Sequence, residues 1–182
     1  MFTQHRFTQH SIESAPPAAR RSMTATLGHL GYLPAALGRI ASSPQLRDGF
    51  LKLSAMFDGT SLDPLSREVV VITIATRNEC HVCLAMHTAR LTTLRADADL
   101  IAALRDGGPL ADPRLDAIRS FTLRVLETAG DVGDPALHAF FSHGYTEQNA
   151  LEVVLGIGTY TMSTLANRLT GAPVDDALRE FA

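Results

Sequence analysis

Several features that define common classes of protein are missing from this sequence. No apolar run is long enough to cross a lipid bilayer, so a helical membrane protein is excluded. The 16 lysines and arginines are outnumbered by 19 aspartates and glutamates, which leaves no basic excess for binding nucleic acid or an anionic membrane. No glycine-rich phosphate loop is present, and no cofactor is indicated. The polar N-terminal segment has no apolar centre and does not resemble a secretory signal, so we expect a cytoplasmic protein.

Cysteine is scarce as well, because the chain contains only Cys80 and Cys83. A disulfide between residues so close in sequence closes a very short loop and contributes little to stability. In a cytoplasmic chain, a pair at this spacing is typical of redox chemistry or of metal binding.

Length and hydrophobic patterning predict an all-helical protein. The 182 residues, 46% of them hydrophobic, suffice for a single buried core. We expect a polar N-terminal arm over residues 1–22, where Pro16-Pro17 disfavours helix, and an all-helical domain over residues 23–182. Helix-start and helix-stop signals predict about eight helices and no convincing strand.

The stretch before the cysteines is the least certain part of the helix assignment. Val69–Ile74 is rich in β-branched residues, and local propensity alone allows a buried strand. Asp63-Pro64 is a good helix start, with Asp63 as N-cap, so we predict a buried helix there. We expect Asn78 to cap the next helix, which would run through both cysteines to about Leu94.

The last long helix is predicted to begin after Thr146 and to reach about Leu169. Gly156 and Gly158 weaken this prediction by about 1 kcal/mol each relative to alanine. Because Glu152 lies beyond the usual position for a capping box, none is expected.

On a helix, Cys80, Cys83 and His87 share one face. The nucleophilic form of cysteine is the thiolate, which a helix N-terminus stabilises. Histidine exchanges protons near neutral pH. Attack on a peroxide would give a sulfenic acid, with which the second thiol would condense. Glu68, on the preceding helix, could complete a proton relay, although spacing alone does not show that it reaches the cysteines.

Glu68, Cys80, Cys83 and His87 together resemble the Glu…Cys-x-x-Cys-x-x-x-His signature of alkylhydroperoxidase D-like (AhpD-like) proteins of the carboxymuconolactone decarboxylase superfamily. The resemblance covers roughly residues 34–173. It includes the segments 61–68, 144–146 and 166–170.

This resemblance implies an AhpD-like helical bundle that forms a homo-oligomer, such as a dimer, trimer or hexamer. It implies that Cys83 attacks an organic hydroperoxide or hydrogen peroxide. Cys80, the more exposed cysteine, would resolve the sulfenic acid as a disulfide, and His87 and Glu68 would relay protons. A dithiol reductant of lipoyl or thioredoxin-like type would complete the cycle.

The sequence departs from the pattern of the best-studied peroxidases at one position. Those proteins carry a second relay histidine directly before the second cysteine, where this chain has Val82. His81 is one place earlier and points about 100° away on a helix. The alternative that the protein is a thiol–disulfide reductase, or a redox sensor without efficient peroxide turnover, therefore remains open.

Two further alternatives remain from the residues. Cys80, Cys83 and His87 could contribute to a zinc site, but structural zinc takes four ligands and no second ligand pair is evident, so no metal is predicted. The superfamily also contains lactone decarboxylases, which generally lack the paired cysteines.

Overall fold

The helix that precedes the cysteines lies at the centre of the protein. In the computed structural model, which describes residues 7–182, this helix spans Pro64–Arg77. Asp63 caps it by accepting a hydrogen bond from the Ser66 backbone N–H at 2.9 Å. All residues from Val69 to Ile74 are buried, and neighbouring helices pack around them. The β-branched run is therefore a core helix, as predicted, because burial on every side outweighs its local propensity for strand.

Nine α-helices and one short 3-10 helix make up residues 7–182, and no strand occurs in this range. We number them in chain order as α1 (Pro17–Leu30), α2 (Ala35–Ile40), α3 (Pro44–Asp58), α4 (Pro64–Arg77), α5 (His81–Thr93), α6 (Ala98–Asp106), α7 (Pro113–Thr128), α8 (Asp134–Ser142) and α9 (Glu147–Thr170), followed by the 3-10 helix Asp176–Phe181. The all-α prediction is confirmed. No described helix is both long and apolar enough to span a membrane.

The N-terminal arm differs from the prediction over residues 1–22. Its first six residues lie outside the described range, but α1 begins inside the arm at Pro17. Proline is well tolerated at the first helical position because the N–H that it lacks would be unpaired there. Ala19 is buried, and the backbone N–H of His10 donates to the Gly38 carbonyl at 3.2 Å. The described part of the arm therefore packs onto the helical body.

The longest helix, α9, runs through both glycines as predicted. A Cβ at Gly156 would lie 2.7 Å from the Phe57 ring, so glycine allows the two helices to approach closely. The absence of a capping box was a wrong prediction. The Thr146 side chain accepts from the Asn149 backbone, and the Asn149 side chain accepts from the Thr146 backbone N–H. Asparagine takes the place in this box that is usual for glutamate or glutamine.

Candidate active site

The two cysteines lie at the start of α5, but the helix begins later than predicted. Asn78 ends α4 instead of capping α5, and its side chain donates to Thr164 Oγ1 at 2.8 Å. Glu79 has a φ of 50°, which turns the chain between the two helices. Cys80 is consequently the N-cap of α5, and Cys83 lies in its first turn.

Both thiols are free and buried, which corrects the expectation that Cys80 is the more exposed cysteine. Cys80 is 2% exposed and Cys83 is 4% exposed. Asn167, on α9, joins them: its side-chain amide donates to Cys83 Sγ at 3.3 Å and approaches Cys80 Sγ at 3.9 Å. Ser163 Oγ lies 3.9 Å from Cys83 Sγ. The pair is therefore enclosed by donors from a second helix.

Hydrogen bonds lower the pKa of Cys80 in this pair. The Cys83 S–H and, more weakly, the backbone N–H groups at the start of α5 and the Asn167 amide stabilise the Cys80 thiolate. They outweigh burial and lower the pKa of Cys80 from its ordinary 9.0 to about 6. The same contact with Cys80, together with burial, raises the pKa of Cys83. Near neutral pH the pair therefore holds one proton, on Cys83.

A second buried group lies further along α5. Glu68 Oε2 accepts a hydrogen bond from His87 Nδ1 at 2.7 Å, and Glu68 Oε1 pairs with Arg90 Nε at 3.1 Å. Burial alone would raise the pKa of Glu68, but the charges of His87 and Arg90 outweigh it and lower that pKa. An ionised carboxylate only accepts hydrogen bonds, so Nδ1 of His87 carries a hydrogen and Nε2 is left for proton exchange.

An aromatic side chain packs against the imidazole ring of His87. The Tyr160 ring meets the imidazole edge to face, with centroids 5.2 Å apart and planes at 86°. The Phe57 ring in turn packs edge to face against the Tyr160 ring, with centroids 5.7 Å apart. The Tyr160 hydroxyl lies 3.4 Å from Ser54 Oγ, and burial raises its pKa to about 12, so it stays protonated. Glu68 and Tyr160 thus hold the imidazole in one orientation.

A cavity of about 410 Å³ reaches this site, and both Cys83 and His87 line it. Most of its wall comes from apolar side chains on α1, α2, α3, α5 and α9, among them Leu37, Phe50, Met86 and Met162. Cys80 is not among the lining residues. The cavity therefore offers an apolar molecule direct access to one sulfur, beside a histidine.

The four residues singled out in the sequence form two connected pairs. Glu68 bonds His87, Cys80 contacts Cys83, and the cavity joins Cys83 to His87. His81 is exposed, in line with the prediction that it points away. Among residues 7–182, no group of three His, Cys, Asp or Glu side chains is arranged to hold a metal ion.

Two further residues of the site were not assigned from the sequence. Arg90 is three residues beyond His87 and lies on the same helix face as Cys80, Cys83 and His87. This spacing was a signal in the sequence from which Arg90 could have been assigned to the site. Asn167 was interpreted with Arg168 as a buried structural pair or part of an intersubunit site, because its contact with Cys83 spans 84 residues of sequence and local signals do not reveal it.

Comparisons with known proteins identify a family over part of the chain. The model of the carboxymuconolactone decarboxylase family matches residues 44–123, which contain both cysteines, Glu68 and His87. No curated protein shows significant sequence similarity to the chain.

Solved structures share the fold at low sequence identity. A peroxidase-related protein from Ralstonia eutropha JMP134, described as an alkylhydroperoxidase AhpD core, superposes with a TM-score of 0.83 at 18% identity, over 95% of this chain and 93% of that one. A peroxidase-related protein from Silicibacter sp. TM1040 gives 0.79 at 19% identity, over 98% and 97%. The debrominase Bmp8, bound to 2,3,4-tribromopyrrole, gives 0.73 at 16% identity, over 100% and 96%.

The family match covers the cysteine motif, and the structural matches cover nearly the whole helical bundle. Residues 44–123 match the carboxymuconolactone decarboxylase family, and the chain as a whole shares its fold with the AhpD core and the peroxidase-related structure.

Proposed function

We propose that the chain is a thiol peroxidase that reduces organic hydroperoxides with the Cys80–Cys83 pair. The observation that carries this proposal is that Cys83 and His87 line one apolar cavity, with Cys80 in contact with Cys83. A molecule in the cavity meets Cys83, so Cys83 is the attacking sulfur. His87, which lines the same cavity, is the base that takes the proton of Cys83.

The reaction then proceeds in two steps. The Cys83 thiolate attacks the terminal peroxide oxygen and the O–O bond breaks. The alkoxide takes from His87 the proton that Cys83 gave up, and leaves as an alcohol. Cys80 then attacks the sulfur of the Cys83 sulfenic acid, which forms the disulfide and releases water. Two thiol sulfurs are oxidised by two electrons and the peroxide is reduced by two. Glu68 supports this chemistry by holding His87 in place.

The test is a count of free thiols with intact-mass measurement, before and after one equivalent of cumene hydroperoxide. Wild type should lose both thiols and the mass of two hydrogens. Cys80→Ser should gain one oxygen atom on Cys83, and Cys83→Ser should scarcely react. Two thiols that survive the peroxide in wild type, or an oxygen adduct that forms only in Cys83→Ser, would contradict the proposal.

A second candidate is reductive dehalogenation of an aromatic ring, which the shared fold with a debrominase and the apolar wall at Cys83 support. The same two electrons would be used: Cys83 takes the halogen from carbon, the ring carbon takes a proton, and Cys80 displaces halide as the disulfide forms. Release of bromide from a bromopyrrole with concurrent loss of both thiols would favour this reaction. Absence of bromide release beside rapid peroxide consumption would leave the peroxidase.

A further inference from the structure

The side of α9 that faces the site carries a row of polar side chains. Tyr160, Ser163 and Asn167 are three and four residues apart, so they lie on one face of this helix. All three line the apolar cavity. At one end of the row, the Tyr160 ring packs against His87. At the other end, Asn167 contacts Cys83, so Ser163 lies between the imidazole and the sulfur.

The hydroxyl of Ser163 differs from those of three threonines on the same helix. A serine or threonine within a helix commonly donates to a carbonyl oxygen of the preceding turn. Thr159, Thr164 and Thr170 do so over 2.8–3.0 Å. In the part of the chain that the structure describes, the Ser163 hydroxyl instead contacts only Cys83 Sγ, at 3.9 Å. It is therefore available to donate to this sulfur or to a molecule in the cavity.

Asn167 is the second donor to Cys83. Its side chain is buried, and its amide nitrogen lies 3.3 Å from Cys83 Sγ and 3.9 Å from Cys80 Sγ. A side-chain amide carries two N–H donors and no charge, so it donates at every pH at which the thiols ionise. Cys83 thus receives the shorter bond from Asn167 and a further contact from Ser163.

We propose that Asn167 and Ser163 are catalytic residues that stabilise negative charge on Cys83 while His87 holds its proton. This inference rests on the proposed function and adds α9 to the chemistry. Cys83 is buried and faces an apolar cavity, so water contributes little to solvating its thiolate. Donors fixed by the protein replace that solvation, and they need no reorganisation when the charge forms.

The same two donors account for how a buried cysteine beside another thiol can supply the nucleophile. The hydrogen bond with Cys80, together with burial, raises the pKa of Cys83. The hydrogen bonds from Asn167 and Ser163 act in the opposite direction and lower that pKa. Loss of either donor should therefore make the ionisation of Cys83 less favourable.

The step that these donors assist is the attack on the peroxide. The Cys83 thiolate bonds to the terminal oxygen, the O–O bond breaks, and the alkoxide takes the proton from His87. The sulfur loses two electrons and the peroxide gains two. Because Ser163 lies between Cys83 and His87, its hydroxyl can turn from the sulfur to the oxygen that becomes bonded to it. Asn167 continues to donate to the sulfur.

The first experiment measures the charge on Cys83 without any peroxide. Cys80→Ser is the parent protein, because it keeps one thiol, and alkylation of that thiol by iodoacetamide is followed as a function of pH. In this parent, Asn167→Leu removes the amide at similar side-chain volume, and Ser163→Ala removes the hydroxyl. Asn167→Leu should raise the alkylation midpoint by about one pH unit, since a hydrogen bond to a charged group is lost. Ser163→Ala should raise it less, because its contact is longer.

The second experiment measures how fast the same proteins form an oxygen adduct with cumene hydroperoxide. Dividing each rate by the fraction of thiolate at that pH separates the reactivity of the thiolate from its abundance. Ser163→Ala should lower this normalised rate by about tenfold, because its hydroxyl also contacts the transferred oxygen. Leu165→Ala, at an exposed position on α9 outside the cavity, is the control and should match the parent in both experiments.

The two experiments separate this inference from the proposed function. Alkylation midpoints that stay at the parent value in both Asn167→Leu and Ser163→Ala would overturn the inference, whatever the peroxide rates are. Asn167→Ala takes the place of Asn167→Leu if the larger side chain prevents folding. A parent that forms no oxygen adduct would refute the peroxidase, whereas raised midpoints in the same proteins would still support the two donors to Cys83.

Discussion

The position of the negative charge in the cysteine pair can be tested directly. The pKa of Cys80 is lowered from 9.0 to about 6, mainly by the hydrogen bond from the Cys83 S–H. This difference corresponds to about 4 kcal/mol of preferential stabilisation of the thiolate. Below that pH both sulfurs carry protons, and above it the pair holds one charge. Replacing Cys83 with alanine removes the largest stabilising contact, so the pKa of Cys80 should rise most of the way to its ordinary value.

The assay follows the ultraviolet absorbance of the thiolate, and the rate of alkylation by iodoacetamide, as functions of pH. Wild type should form one thiolate with a midpoint at about pH 6. Cys83→Ser keeps a hydroxyl donor and is the matched control, so its midpoint should lie between those of wild type and Cys83→Ala. Asn167→Ala should give a smaller rise than Cys83→Ala, because the amide is a lesser contributor.

The decisive variant is Cys80→Ser. If the charge lies on Cys80, this variant forms no thiolate until the pH approaches the range of an unperturbed cysteine. The reasoning would be refuted if the low midpoint persisted in Cys80→Ser and disappeared in Cys83→Ser, because the charge would then belong to Cys83. A wild-type midpoint close to the ordinary value would show that the hydrogen bonds do not outweigh burial.

Three further predictions concern stability, each measured by urea unfolding. Glu68→Gln should lower the free energy of unfolding near neutral pH by about 3 kcal/mol, because it breaks a buried ion pair. Folding lowers the pKa of Glu68, so the stabilisation by its carboxylate is fully present above the ordinary pKa of 4.5 and is lost as the pH falls through the lower pKa of the folded state. The stabilities of wild type and Glu68→Gln should therefore converge in acid. Gly156→Ala should cost about 1–3 kcal/mol, because its Cβ would meet the buried Phe57 ring, whereas Gly158→Ala meets nothing and should gain up to about 1 kcal/mol. Asp63→Ala removes the cap of α4 and should cost about 1 kcal/mol. Equal stabilities for the two glycine variants would contradict the close helix contact, and an unchanged Asp63→Ala would show that water replaces the cap.

Local signals in the sequence were sufficient to predict most of the helices and to single out the candidate site residues. Asp63-Pro64 and Thr146 mark helix starts because a cap and its helix lie within four residues of each other. The spacing of the two cysteines and His87 indicated a shared helix face, whereas Glu68 was connected to them by the resemblance to the AhpD-like signature. These features depend on neighbours in the chain, so one sequence contains them.

Features that depend on distant contacts could not be predicted in this way. Asn78 has the side chain of an N-cap, but its amide bonds Thr164, which lies 86 residues away, and α5 starts at His81. The exposure of Cys80 was overestimated because Asn167 and the helix that carries it cover the pair. The charge on Cys80 likewise follows from the relative orientation of the two sulfurs, which spacing does not determine.

The division between reacting and enclosing residues has a consequence for how such a protein can diversify. The cysteines and the proton relay of the proposed thiol chemistry lie between Glu68 and His87, whereas much of the apolar wall is supplied by α1, α2 and α9. A chimera that exchanges residues 17–40 for those of another helical bundle would change which molecules reach Cys83 and keep the thiol chemistry intact. Mutations in residues 17–40 can therefore change which substrates enter the cavity, while the segment from Glu68 to His87 keeps its sequence.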